Sequence, residues 1–239
     1  MSSLIFDYGG VRYGFAHVVK CAGTWMEAEL ATRGLGERMC DDPASCSVLR
    51  AYEADIVFAT VRPPWTWYTS LWHFAMARPG GHTWVAPVIA RYGLTGPAPL
   101  FALTDPATFG VGVVPDFGIV VTRDDITAGR GLWSVAVRQI LGLDLDGADW
   151  VLDLKQFDAA VDDAFARIGL VGPRLAPVNR FRGGERCAKL PETWWAHVAR
   201  VDGEIAGRLG YRSAGRELIV DRPPLVCAGA HAAVVDVWR

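Results

Sequence analysis

A lysine placed between an apolar strand and a short glycine-containing loop suits the binding of an anion. The chain has this arrangement at Phe15-Ala-His-Val-Val-Lys-Cys-Ala-Gly-Thr-Trp25. The apolar run predicts a strand ending at Val19 and a helix opening near Gly23. The first-turn N–H groups of a helix have no partners inside it, so they and the point charge of Lys20 together fit a phosphate or sulfate. Alone, the same residues also fit an ordinary strand-loop-helix connection with a solvated lysine. A second segment, Asp55-Ile-Val-Phe-Ala-Thr-Val-Arg-Pro-Pro-Trp-Thr-Trp-Tyr-Thr-Ser-Leu-Trp72, favours the anion. Asp55 to Val61 has the length and apolarity of a strand, and Pro63 and Pro64 stop it while suiting the first turn of a helix. Arg62 then stands at a strand end, with Ser70 eight residues on and two turns into the helix. A ligand across the strand ends would meet a guanidinium able to fork around a phosphate and a hydroxyl able to donate.

Together the two segments resemble the sulfotransferases that use 3′-phosphoadenosine-5′-phosphosulfate (PAPS). Their first loop, His-x-Pro-Lys-Thr-Gly-Gly-Thr-Ser, is similar to His17-Val-Val-Lys-Cys-Ala-Gly-Thr-Trp25. Their second pattern, Val-Arg-Asn/Asp-Pro with a serine eight residues after the arginine, is matched in order by Val61, Arg62, Pro64 and Ser70. Fainter similarity covers Asp149 to Gly169, Asn179 in a late loop, and Arg200 to Tyr211. The resemblance implies a P-loop nucleoside-triphosphate-hydrolase-like α/β fold. It also implies PAPS as donor, 3′-phosphoadenosine-5′-phosphate (PAP) as product, no metal, and a small hydroxyl- or amine-bearing acceptor. It assigns Lys20, Cys21, Ala22, Gly23, Thr24 and Trp25 to the 5′-phosphosulfate and Arg62 and Ser70 to the 3′-phosphate. The late loop, with Asn179 and Gly183, would close over the nucleotide.

The chain departs from the pattern at Val19 for proline, Ala22 for glycine and Pro63 for Asn or Asp. Each change makes the loops less preorganised, and Ala22 costs on the order of 1 kcal/mol if its φ is positive. In sulfuryl transfer the leaving bisphosphate gains charge, and Lys20 with the backbone donors of Cys21 to Thr24 is suitably typed to stabilise it. For the general base the family's place falls between Gly36 and Ser47, where Asp41 and Asp42 are the carboxylates. His73 and His82 are alternatives with a suitable intrinsic pKa, and each also fits a packed, hydrogen-bonded histidine. His17 orients the loop or packs. Cys21, beside Lys20, has a setting that favours its thiolate, or it simply fills the loop.

These residues need a scaffold, and the chain alternates strand-like and helical segments as a mainly parallel sheet flanked by helices requires. Strands are expected at Ser3 to Asp7 and Arg12 to Val19 around a Tyr-Gly-Gly turn, at Asp55 to Val61, near Gly118 to Val121, and at Trp150 to Leu154. Helices are expected at Thr24 to Arg33, Pro64 to Ala77, Gly131 to Leu141, Phe157 to Ile168 and Pro191 to Leu209. The expectation is a three-layer sandwich, one domain over residues 1–239. Residues 79–115, rich in Gly, Pro and Thr, read as an acceptor-binding or lid insertion. The tail from Arg216 has a Pro-Pro break and an apolar stretch suited to an edge strand or a partner surface.

With 24 Lys+Arg against 26 Asp+Glu there is no global field to hold nucleic acid or a sulfated polymer. No apolar stretch approaches a membrane span and no secretory signal is legible, which reads as a cytoplasmic protein. The five cysteines show neither disulfide nor zinc spacing. Trp65, Tyr68, Trp72 and Met76 recur at helical spacing, the pattern of a core face before that of an aromatic acceptor box. Trp25 is suited to the adenosine side or to the sheet. Two other classes stay open. A kinase-like enzyme is disfavoured by the lack of Gly-x-x-x-x-Gly-Lys-Ser/Thr. A sulfotransferase-like binding module without turnover fits the altered loop residues. Oligomeric state has no signal.

Overall fold

The structure, a computed structural model, describes residues 3–35, 37–40, 45–76, 105, 110–114, 117–175, 189–221 and 225–227. The chain divides into two compact units, one of residues 1–62, 137–180 and 223–239, the other of residues 63–136 and 181–222.

The first unit is α/β. Gly9 and Gly10, both at positive φ, turn β1 (Ser3–Tyr8) back antiparallel onto β2 (Val11–His17). The chain continues through α1 (Gly23–Thr32), β3 (Glu37–Cys40), α2 (Cys46–Ala51) and β4 (Ile56–Val61). The six-stranded sheet is completed by β7 (Trp150–Asp153) and β10 (Leu225–Cys227), in the order β10-β7-β4-β2-β1-β3. Only β2-β4 and β4-β7 are parallel, while the β1, β3 and β10 pairings are antiparallel. The sheet is therefore mixed, which corrects the expectation of a mainly parallel one. Hairpin connections force antiparallel neighbours, and the Tyr-Gly-Gly turn makes one at the start of the chain. The tail does supply an edge strand, β10.

Strand alternation sorts the side chains between the two faces. Phe6, Tyr13, Phe15, Phe58 and Trp150 share one face and form a buried core with Trp25, Met26 and Leu30 of α1. Ala160, Val161, Ala164 and Phe165 of α6 (Phe157–Arg167) complete that core. Each fully buried large side chain here contributes roughly 2 kcal/mol by removal from water. The other face carries Gly14, Ala16, Val57 and Ala59, small enough for α2 to sit close. A Cβ on Gly14 would stand 3.1 Å from that of Leu49. Asp149, 3% exposed, ties α2 to this sheet by accepting from Arg50 and from the Val57 N–H at 2.6 Å.

The second unit holds α3 (Pro64–Met76), the hairpin β5 (Gly112–Val114) with β6 (Ile119–Val121), and the short α4 (Arg123–Thr127). It also holds the start of α5 (Leu132–Leu141), then α7 (Glu192–Arg208) and the hairpin β8 (Tyr211–Ala214) with β9 (Glu217–Val220). Trp65, Trp67, Tyr68 and Leu71 of α3 are buried, so its aromatic stripe is core, with Trp65 stacked on Trp195 of α7 at 5.8 Å. Trp72 is only half-buried. Most of the proposed insertion at 79–115, with Trp84 and His82, lies outside the described residues. No described helix is long and apolar enough to cross a membrane.

Asp202 of α7 organises the buried side of this unit. It accepts from the Tyr68 hydroxyl at 2.7 Å, from the Ser134 N–H at 2.9 Å and from the Ser134 hydroxyl at 2.6 Å. The Tyr68 oxygen accepts from the Trp133 N–H at 3.0 Å. Two first-turn N–H groups of α5 are thus satisfied by side chains from α3 and α7, a cap assembled by tertiary contacts. Burial pushes the Asp202 carboxyl up to about 6, against the pull of its donors. The folded state then binds this proton more tightly than the unfolded chain, whose Asp titrates near 3.8. The contribution is complete below about pH 4 and is lost as the pH rises through about 6. Asp202→Asn removes this dependence, so its unfolding free energy minus that of the wild type should rise by about 2 kcal/mol from pH 4 to pH 7. Denaturant titrations at the two pH values check this, and a difference independent of pH would contradict it.

Candidate anion-binding site

β2 and β4 run parallel with His17 opposite Thr60, so their C-terminal ends lie side by side. The loop Val18 to Ala22 leaves the end of β2, and Arg62 follows the end of β4. Pro63 and Pro64 then start α3, with the Pro63 carbonyl accepting from the Trp67 N–H at 2.9 Å.

The loop has an unusual backbone. Lys20 and Ala22 both stand at φ 61°, with Cys21 between them and the helical Gly23 after them outside the positive-φ region. At Lys20 the positive φ belongs to a tight turn, closed by the Cys21 N–H donating to the Val18 carbonyl at 3.1 Å. The cost is real. Two side-chain-bearing residues in the left-handed region cost about 1 kcal/mol each. Ala22 is also the N-cap of α1, and its methyl side chain offers no capping acceptor. The first helical bond runs from Met26 N–H to the Ala22 carbonyl at 3.0 Å, which leaves the N–H groups of Gly23, Thr24 and Trp25 ahead of it. The Cys21 N–H is used inside the loop, donating to the Val18 carbonyl at 3.1 Å. That removes Cys21 from the expected set of backbone donors.

Two side chains beneath the loop fix it. Thr60 donates its hydroxyl to the Cys21 carbonyl. His17, on the same face of the sheet as Phe15, is 3% exposed, and its ring occupies the space over Gly23. A Cβ on Gly23 would fall 2.0 Å from His17 Nε2, so only glycine fits there. Burial, with nearby positive charge including that of Lys20, lowers the His17 pKa to about 4, so the ring is neutral.

Electrostatically, the loop is where the cations meet. Lys20 and Arg62 both act on the Cys21 thiol in the direction of ionisation. Burial nonetheless dominates and pushes that thiol up to about 12, with Cys21 0% exposed. Of the two readings of Cys21, the loop-filling one holds: the thiol is neutral and its side chain turns inward. Trp25 likewise turns inward, 4% exposed, edge-on to Phe157 at 4.9 Å, and donates to the Leu175 carbonyl at 3.4 Å. Its side chain serves the sheet rather than an adenine. Thr24 is exposed on the first turn. Asp153, buried at the end of β7 opposite Val61, adds negative charge near Cys21 and accepts from the Lys155 N–H at 2.9 Å. No sequence signal distinguished Asp153 or Thr60, each of which reads as one more residue of its strand.

Lys20, Cys21, Ala22, Gly23, Thr24 and Arg62 therefore come together in the first unit. Ser70 and His73 belong to α3 in the second unit, Ser70 being 7% exposed and His73 half-buried. Asp41, Asp42, Asn179 and Gly183 lie outside the described residues. Among the described residues there is no group of three or more His, Cys, Asp or Glu placed to hold a metal ion. Comparisons with protein-family models, curated proteins and solved structures gave no match.

Positive φ at Ala22 has a direct test. Ala22→Gly is expected to raise stability by up to about 1 kcal/mol, while Ala28→Gly inside α1 lowers it by about the same amount. Equal losses in denaturant unfolding of the two variants would contradict a left-handed Ala22.

Proposed function

We propose that this chain is a sulfotransferase that takes a sulfuryl group from PAPS and gives it to the hydroxyl or amine of a small acceptor. The observation that carries the reading is the meeting of Lys20 and Arg62 at a strained, uncapped loop that opens α1. Backbone strain of this kind clusters at binding sites. The donor-binding pattern seen in the sequence falls on these same residues, and they fit a phosphosulfate by charge and by donor type.

The chemistry supplied by the donor is an activated sulfur: the acceptor oxygen or nitrogen bonds to it as its bond to the phosphate oxygen breaks, and the acceptor's proton passes to a base. Lys20 and the N–H groups of Gly23, Thr24 and Trp25 hold the phosphate oxygen that gains charge in that exchange. They are fixed before the reaction, so no reorganisation opposes them. The Thr24 hydroxyl adds one more donor. Arg62 takes the 3′-phosphate as a fork, and the sequence pattern adds Ser70. Asp41, Asp42 and His73 are the candidates for the base, on sequence grounds alone. A P-loop-like three-layer architecture is the fold this reading requires.

One observation favours a second reading, a module that binds the bisphosphate without turnover: Ala22 occupies a left-handed position that a glycine would fill without strain. Both readings require the donor site. Calorimetric titration with PAP should give micromolar binding that Lys20→Ala and Arg62→Ala each weaken about 10- to 100-fold, with ATP binding far more weakly. Absence of PAP binding by the wild type would overturn both readings. PAP binding without sulfuryl transfer across an acceptor screen would favour the module.

A further inference from the structure

His17 has no hydrogen-bond partner for its Nδ1 among the described residues, although that atom is buried. An unpartnered polar atom in a core costs free energy, and an apolar side chain of similar size would avoid the cost. His17 stands on the face of the sheet that carries Phe15, among residues that make an apolar core. A local rule broken in this way is expected where a residue serves binding rather than stability. The place of the break is specific. The ring lies against Gly23, the first residue of α1, and opposite Thr60, which holds the Cys21 carbonyl. Two observations thus point to the same few residues: a left-handed Ala22 at the N-cap of α1, and a buried imidazole whose ring lies against Gly23.

We propose that His17 is a positioning residue of the anion site, its imidazole wedged against Gly23 so as to fix the first turn of α1 and turn a ring N–H to the loop when an anion is bound. The inference rests on the reading of this loop as an anion site. It does not depend on the anion being a nucleotide. A neutral imidazole offers one donor and one acceptor, enough to bond a loop carbonyl or a held water without placing a second charge beneath Lys20. Lys20 and Arg62 supply the attraction, and His17 sets the geometry in which the N–H groups receive it. Because Nδ1 carries no bond in the described structure, replacing the ring should affect stability and binding in different directions.

The test is to measure thermal stability and inorganic sulfate affinity in parallel for the wild type, His17→Leu and His17→Gln, with PAP as a second ligand. His17→Leu should fold with stability equal to or above that of the wild type and should bind sulfate at least about tenfold more weakly. His17→Gln restores a side-chain N–H and should recover affinity to within about threefold of the wild type. Should His17→Leu lose stability, comparison of the two variants still decides. Glutamine binding no better than leucine, or leucine binding as tightly as the wild type, would overturn the proposal. Wild-type binding of sulfate but not PAP would overturn the nucleotide reading and leave the role of His17 standing. Wild-type binding of PAP with both variants unchanged would overturn His17 alone. Binding of neither ligand by the wild type would overturn both.

Discussion

The parallel pairing of β2 with β4, with His17 opposite Thr60, is the constraint on which the rest of the site depends. Parallel strands end at the same edge, so the loop after one and the arginine after the other must emerge together. The pairing brings Lys20 and Arg62 together across some forty residues of sequence. The core on one face of these strands, from Phe15 and Phe58 to Trp25 and Phe165, holds the register. A slip by one residue would send every one of those side chains to the opposite face. It would also lose the bond from Thr60 to the Cys21 carbonyl.

Above that edge the structure gives up stability in three places. Lys20 and Ala22 hold left-handed backbone, the N-cap residue of α1 has no capping side chain, and His17 buries a nitrogen that has no bond among the described residues. Each lies within a few residues of Gly23, and each would be relieved by a common substitution. The second unit offers a contrast. There the start of α5 is fully served, by Asp202 and Tyr68 acting from two other helices. At α1 the N-cap residue, Ala22, brings no side-chain acceptor of its own.

Much of this was legible in the sequence because it depends on short-range rules. The Val61-Arg62-Pro63-Pro64 junction ends a strand and starts a helix by proline chemistry alone, and the helices at α5, α6 and α7 fall close to their expected bounds. Lys20 and Gly23 drew attention to the loop through residue type. What depends on burial was not legible. For Cys21 the sequence leaves thiolate and loop filler both open, and burial decides for the filler. Asp202 reads as one polar residue of an amphipathic helix until Tyr68 and Ser134, far off in sequence, reach it. The short β3 and α2 carry too few residues for periodicity to show, and the mixed character of the sheet follows from how the hairpin and the tail pair, which local patterns do not encode.

An anion bound between Lys20 and Arg62 would draw on the backbone donors at the start of α1. Amide-resolved NMR during titration with PAP addresses those donors one by one. The largest shifts are expected at the N–H groups of Gly23, Thr24 and Trp25, saturating together, with the Cys21 N–H moving less because it is already bonded to the Val18 carbonyl. Saturable binding with these amides unmoved, or no shift anywhere, would contradict it.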